Sequence, residues 1–399
     1  MALANRKKIL VFVDWYHPGY KAGGPIRSMY NLIHRLGASM DFYVITRSTD
    51  YLSDDPYPGI QENTWITLEP GHNVWYCSTE KTNAKDFIQA IGGLAFDAVY
   101  VNGMFSPVFS ILPVRLFNSG KIPASRLIVA PRGMLAPDAL QLKATKKKLF
   151  LRLTKWMRLY RHAEWHATSS EEAKQIAQRY PKASISTFTN VTDVSQLAAP
   201  RETNKKAGEL RLISVARIAR EKNLIYALSA LKHVSQPVHL DIFGSVYDQP
   251  YLQECRQVAE SLPPHISVSF HHAIPNTELP GLLPKYHALI LPTLGENFGH
   301  IIAESLLAGV PVIISNRTPW NHLHHEGAGY VIPLENQTEW AAVINRLSAM
   351  DTAEYHQLLQ NTHQFAVRMA EDSALIDAYL AWFSQNVASP LNHSQKASS

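Results

Sequence analysis

LILPTLGENFGHIIAESLLAGVPVIIS, from Leu289 to Ser315, reads as a complete βαβ unit. An apolar run ends at Pro292, and a loop then carries Gly295, Glu296, Asn297 and Phe298. The spacing of the next apolar residues predicts a helix from about Gly299 to Ala308. Gly309 suits the position just past a helix end, and Val310 opens a second apolar run. In an open parallel sheet, ligands bind in the crevice beyond the carboxyl ends of the strands. The loop and the helix start fall there. Free amides at Phe298, Gly299 and His300, with the helix dipole, form a phosphate cradle that needs no charged side chain.

The same rhythm extends in both directions. Lys8–Val13, Phe42–Ile45, Ala98–Val101 and Leu127–Ala130 read as strands buried on both faces, as do Leu210–Ala216, Val238–Phe243, Ile266–Phe270 and His287–Pro292. Helical patterns lie between them at Ile26–Leu36, Asp86–Gly92, Lys143–Tyr160, Glu171–Tyr180, Leu224–His233 and Thr338–Met350. Alternation at this spacing predicts an α/β chain with parallel sheets in two doubly wound domains. The rhythm lapses in the polar stretch Ser195–Glu209. The expected division is therefore a domain over 1–195, a linker over 196–209 and a domain over 210–370. A helix over 371–387 would cross back to the first domain, and 388–399 would form a disordered tail.

Composition narrows the classes. The chain has 399 residues, enough for two domains at ~100–200 residues each. It is 46% hydrophobic and 18% charged, which excludes global disorder. Cys77 and Cys255 stand far apart, which excludes a disulfide scaffold and a cysteine zinc site. No apolar run reaches the ~18–20 residues of a membrane span, and Asp14 and Trp15 cut short the only stretch that resembles a signal peptide. The formal net charge of +5 fits a phosphate-bearing partner or a membrane surface without choosing between them.

Glu296 and Glu304 form an E-x7-E spacing. Were both helical, they would be ~12 Å apart along the axis and ~80° apart around it. A glycosidase needs its carboxyl groups ~5–9.5 Å apart across one bond. The spacing instead suits two carboxylates reaching different hydroxyl-bearing parts of an extended ligand. Glu304 is open to a second reading, as a solvated helix residue. Arg217 and Lys222 bracket the loop after the strand Leu210–Ala216, where a guanidinium fork and an ammonium can hold a diphosphate. An ordinary basic surface loop is the alternative. Gly23-Gly24-Pro25 precedes a helix and permits close approach of a ligand, or simply makes a turn. Asp14 reads as a generic sheet-end acid. Arg132, past the strand Leu127–Ala130, could bind an acceptor phosphate or tie its own loop. No HExxH and no carboxylate-flanked histidine spacing suggests a metal site, and no GxSxG, Walker A or GxGxxG motif occurs.

These pieces together resemble the retaining glycosyltransferases of family 4. The similarity rests on the Glu296-to-Glu304 segment, YKAGGPIRSMYNL around Gly23-Gly24, Val215-Ala216-Arg217 with Lys222-Asn223, Asn190-Val191-Thr192-Asp193 and Thr318-Pro319-Trp320. It implies the GT-B architecture, two Rossmann-like domains facing a cleft, with a nucleotide-diphosphate sugar held by the second domain. By similarity, Glu296, Arg217 and Lys222 would be catalytic. Glu304 would hold the ribose. Asn297, Phe298 and Gly299 would line the donor, and Gly23 and Gly24 the acceptor side. Many relatives carry a histidine at about the place of Arg132; Arg132 departs from that pattern, so no catalytic histidine is carried over. No metal and no cofactor are expected, since GT-B enzymes generally neutralise the leaving diphosphate with protein cations.

KATKKKLFLRLTKWMRLYR, Lys143 to Arg161, sets Leu149, Phe150, Leu153, Trp156, Met157 and Tyr160 against eight cations. It is read as an interfacial basic helix or as a core helix with a solvated basic face. The expected partners are a UDP- or GDP-linked sugar, a polyprenyl-diphosphate-linked or other glycan acceptor and an anionic membrane, with no nucleic acid. The expected place is the cytoplasm, peripheral at the inner membrane face. A nucleotide-sugar epimerase of the same architecture and a non-catalytic sugar-nucleotide-binding protein are the alternatives.

Overall fold

The computed structural model describes residues 6–141 and 144–385. Lys143 of the basic segment and the expected tail over 388–399 lie outside the described residues. The chain divides into two compact units, Met1–Val191 with Ser373–Ser399, and Thr192–Asp372.

The first unit holds β1 (Lys8–Val13), β2 (Asp41–Arg47), β3 (Trp65–Glu69), β4 (His72–Cys77), β5 (Phe96–Asn102), β6 (Ala124–Ala130), β7 (Ala163–Ala167) and β8 (Ser184–Thr187). They form one sheet in the order β3-β4-β2-β1-β5-β6-β7-β8, with β3 antiparallel to β4 and the other pairs parallel. The continuous apolar run of β1 follows from cover on both faces. Ile9, Val11 and Val13 pack with Met29, Leu32 and Ile33 of the helix Gly24–Leu36. Leu10 and Phe12 point the other way, into a core with Phe87 and Phe109. The helix Ala374–Ser384 belongs to this unit through Tyr379, Trp382 and Phe383. Buried Arg126 holds it by donating to the Trp382 carbonyl at 2.8 Å, while pairing with both carboxylate oxygens of Glu164.

The second unit holds β9 (Leu210–Val215), β10 (Val238–Phe243), β11 (Ile266–His271), β12 (Ala288–Leu291), β13 (Val312–Ser315) and β14 (Gly329–Ile332). They form a parallel sheet in the order β11-β10-β9-β12-β13-β14. Leu212, Leu240 and Ile290 face a core shared with the helices Leu224–Leu231 and Gln337–Ala349. Ile213, Leu289 and Leu291 face Ile302 and Leu306 of the helix His300–Leu307.

Three readings change. The polar stretch 196–209 is built into the second unit rather than left as a linker. Its Ala198 amide donates to Leu307 O, and the buried Lys205 ammonium reaches the carbonyls of Ser348 and Met350 at 3.0 and 2.8 Å. Its polar residues satisfy buried backbone oxygens, which apolar periodicity cannot reveal. In the basic segment, the helix covers Ala144–Trp156 and ends before Tyr160, which is buried beyond it. Leu149, Leu153, Trp156 and Met157 are exposed, so they do not form a core-facing stripe. The third change concerns elements that the rhythm misses: β3, β4, β7, β8 and β14, and the helices Gln249–Glu260 and Thr352–Glu371.

Candidate donor site and its relatives

The second sheet reverses direction between β9 and β12. Strands β10 and β11 build outward from one side of β9, and β12, β13 and β14 from the other. This is the switch point where an open α/β sheet has its ligand crevice. Two loops leave the sheet there. The one after β9 runs through the turn Arg220–Lys222 and reverses at Asn223, with φ of 55°. The one after β12 carries Thr293 to Gly299.

Short bonds fix the two loops to each other. Leu294 N and Thr293 Oγ1 both donate to Glu221 O, at 2.9 and 3.1 Å. Ser315 Oγ donates to Thr293 O at 2.6 Å, and Glu296 N donates to Arg317 O at 3.0 Å. Trp320 is buried, and its Nε1 donates to Phe298 O at 2.5 Å. The Glu296 loop is thus clamped by the loops after β9 and β13.

Within that frame Lys222 Nζ lies 2.5 Å from Glu296 Oε1, with side-chain exposures of 15% and 14%. The crevice therefore contains a largely desolvated ammonium and carboxylate. Arg217 is placed otherwise. Its guanidinium pairs with Glu221 at 3.1 Å and lies 4.8 Å from the Tyr247 ring centroid. Sequence spacing joined Arg217 with Lys222; the structure joins Lys222 with Glu296 and sets Arg217 on the side of the loop after β10.

The remaining residues expected at the donor differ in kind. Glu296 is in the loop and Glu304 in the helix, where Glu304 is 8% exposed beside buried Ile302, Ala303 and Leu306. Gly299 begins that helix at φ 80°, a conformation that disfavours any side chain, and no side chain caps the first turn. Asn297 is exposed. The Phe298 ring is buried against Trp320, so this residue can offer a ligand only its backbone. Among the described residues, no group of three or more His, Cys, Asp or Glu is placed to hold a metal ion.

In the first unit, Gly23 sits at φ 73° before the helix Gly24–Leu36, and a Cβ at Gly23 or Gly24 would meet nothing within 4 Å. Open space there leaves room for a ligand. Arg132 is turned to structural work. Its Nε donates to Asn102 Oδ1 and its Nη1 to Asn190 Oδ1, each at 2.7 Å, and its Nη2 donates to Tyr100 Oη at 2.9 Å. Of its two sequence readings, these bonds are those of the tie. The sequence reading passed over the first sheet's own switch point, between β1 and β5. There Asp14 accepts hydrogen bonds from Ser106 Oγ at 2.8 Å and from Arg47 at 3.2 Å, and burial raises its carboxyl above the usual range. Trp320 was likewise legible only as part of a motif, without its clamping bond.

The Arg132 tie continues through Tyr100 to fully buried His166. Tyr100 Oη lies 2.6 Å from Nδ1 of the ring, and Nε2 lies 3.0 Å from Phe188 O, an acceptor that requires the proton on Nε2. Burial, with the Arg132 charge nearby, holds the His166 pKa down at about 3. In the unfolded chain the ring titrates near ~6.5. Below that pH only the unfolded state takes the proton, so stability is complete above it and falls as pH drops toward 3. From pH 6.5 to 5 the expected loss from His166 is about 1.5–2 kcal/mol. Urea midpoints across that range should fall less for His166→Gln; equal slopes would remove this account.

Residues 195–365 match the family described as glycosyl transferases group 1. The match falls entirely within the second unit and includes the whole Lys222–Glu296 site. The O-antigen chain mannosyltransferase RfbU of Salmonella typhimurium strain LT2 is 27% identical over 149 residues. That alignment covers 37% of this chain and 41% of RfbU, so the chain spans about two fifths of this curated relative. The structure of Anabaena HepE with UDP and glucose matches at a TM-score of 0.69 and 16% identity, over 95% of this chain and all of that one. Sucrose-phosphate synthase from Thermosynechococcus elongatus matches at 0.69 and 18%, with the same coverage. The fold is the two-unit α/β arrangement of GT-B glycosyltransferases, as the sequence led us to expect.

Proposed function

We propose that the protein is a retaining glycosyltransferase of the E-x7-E, family 4 type. It moves a sugar from a UDP- or GDP-linked donor to a hydroxyl of a glycan acceptor. The observation that carries this reading is the Lys222–Glu296 pair, largely shielded from solvent at the switch point of a unit that matches glycosyl transferases group 1. A diphosphate entering that crevice would compete with Glu296 for the ammonium, releasing the carboxylate to accept hydrogen bonds from sugar hydroxyls. Glu304 would take the ribose hydroxyls. The backbone at Phe298 and Gly299 would face the phosphates, with Arg217 recruited from Glu221. Gly23 and Gly24 would line the acceptor side.

The chemistry is mainly electrostatic. As the bond from the anomeric carbon to the phosphate oxygen breaks, Lys222 stabilises the charge on the leaving diphosphate. The acceptor oxygen attacks the same face and its proton passes to the departing phosphate, which retains the anomeric configuration. The preferred acceptor is a polyprenyl-diphosphate-linked glycan in bacterial surface polysaccharide assembly, O-antigen or capsule, reached from the cytoplasmic side of the inner membrane. The similarity to RfbU, an O-antigen chain mannosyltransferase, supports that choice. No helix among the described residues is long and apolar enough to cross a membrane, so membrane contact in this reading is peripheral.

A thermal-shift screen of UDP, GDP and their sugars tests the donor. One nucleotide should stabilise the protein by ~2.7 kcal/mol at a hundredfold excess over Kd. NMR of the product should then show an unchanged anomeric configuration. A donor that is isomerised with no acceptor present would replace this reading with an epimerase.

A further inference from the structure

Four of the eight large apolar side chains exposed among the described residues fall within nine positions: Leu149, Leu153, Trp156 and Met157. Trp156 is 81% exposed. Leu149, Leu153 and Trp156 follow one another at i, i+4 and i+7, which makes a single stripe along the helix Ala144–Trp156. The residue each preceding them, or one turn from it, is basic. Lys148, Arg152 and Lys155 form a parallel stripe about 100° around the helix. That second stripe lines an open hollow of about 300 Å³, together with Leu151 and with Gln178, Arg179 and Tyr180 at the end of the helix Ser170–Arg179.

Four cations line this hollow and no carboxylate does. None of the four forms an ion pair among the described residues, although exposed cations elsewhere, such as Arg220 and Arg368, do. A purely structural surface would intersperse charge of both signs, and a site for soluble phosphate would have no need of the neighbouring apolar stripe. We propose that this hollow is a binding site for the phosphate of an anionic phospholipid headgroup. Lys148, Arg152, Lys155 and Arg179 surround the phosphate, while Trp156, Leu153 and Leu149 enter the acyl boundary. Indole at the headgroup level and apolar residues just below it match the layered chemistry of a membrane surface. The site gives the peripheral contact of the proposed function a definite location. It stands on the first unit alone, apart from the donor crevice.

Flotation with phosphatidylglycerol–phosphatidylcholine vesicles, compared with phosphatidylcholine alone, tests it on the full chain. The wild type should float with the anionic vesicles only, and less as salt rises. Arg152→Glu with Lys155→Glu should cut partitioning at least ~25-fold, from about fivefold per charge. Trp156→Ser with Leu153→Ser should cut it at low and high salt alike. Nucleotide thermal shifts recorded on the same samples report folding and the donor reading separately. A protein that responds to nucleotide but does not float keeps its donor site and loses this one. Equal flotation of wild type and variants overturns the proposal. So does stabilisation by inorganic phosphate, reversed by the Arg152 and Lys155 changes, without any flotation.

Discussion

Lys222→Ala is expected to slow sugar transfer by about a hundred- to a thousandfold, the range found when one preorganised transition-state donor is removed. The ammonium sits 2.5 Å from Glu296 with little solvent around it, so its field acts across a weakly screened crevice. The same substitution strands the Glu296 carboxylate, and breaking such a pair from one side can cost about 3–5 kcal/mol when it is fully buried. With both partners about 15% exposed, the cost here should fall below that range. Stability loss and turnover loss therefore need separating. The double variant Lys222→Met, Glu296→Gln removes both charges and should recover most of the urea midpoint while leaving kcat as low as the single variant. Recovery of kcat in the double variant would show the pair to be structural and would end the catalytic assignment.

Gly244→Ala should produce a large loss of stability from a single added methyl group. Gly244 directly follows β10, and a Cβ there would lie 1.8 Å from Ala216 O and 2.9 Å from Ala216 C. Both are backbone atoms, held by the bond from Ala216 N to Phe243 O at 3.0 Å, so no rotamer change relieves the clash. The ends of β9 and β10 must separate. The expected cost is about 3 kcal/mol or more, at the upper end of overpacking effects. Arg217 Cα lies only 3.5 Å from the same point, so the β9 loop should shift with it and transfer should also fall. A midpoint within error of wild type would mean that the two loops are looser than their packing shows.

The missed elements share one physical cause. Strand β8 reads Ser-Ile-Ser-Thr at the sheet edge, exposed at both ends, and β4 opens on the polar pair His-Asn before Val-Trp-Tyr-Cys. Neither is a continuous apolar run. Each is stabilised by pairing with a neighbour distant in sequence, which local composition does not encode. The helix Thr352–Glu371 was more accessible, because Asp351 and Glu354 form a capping box at its start. The basic segment shows the opposite limit. Its helical period was legible, but the direction its apolar residues face depends on what packs beside the helix.

From its sequence alone the chain determined that it alternates strand and helix, that β1 and β9 are covered on both faces, and that Glu296 stands in a loop at a helix start. Those properties follow from the order of residues over one or two turns, where hydrophobic period and glycine placement act locally. Only the tertiary structure decided that Lys222 meets Glu296 while Arg217 meets Glu221, that Arg132 is absorbed by Asn102, Asn190 and Tyr100, and that Leu149 and Trp156 face outward. A long cation reaches several partners from the same backbone position. Which one it takes is fixed by strand order and by the competing hydrogen bonds that the fold brings within reach.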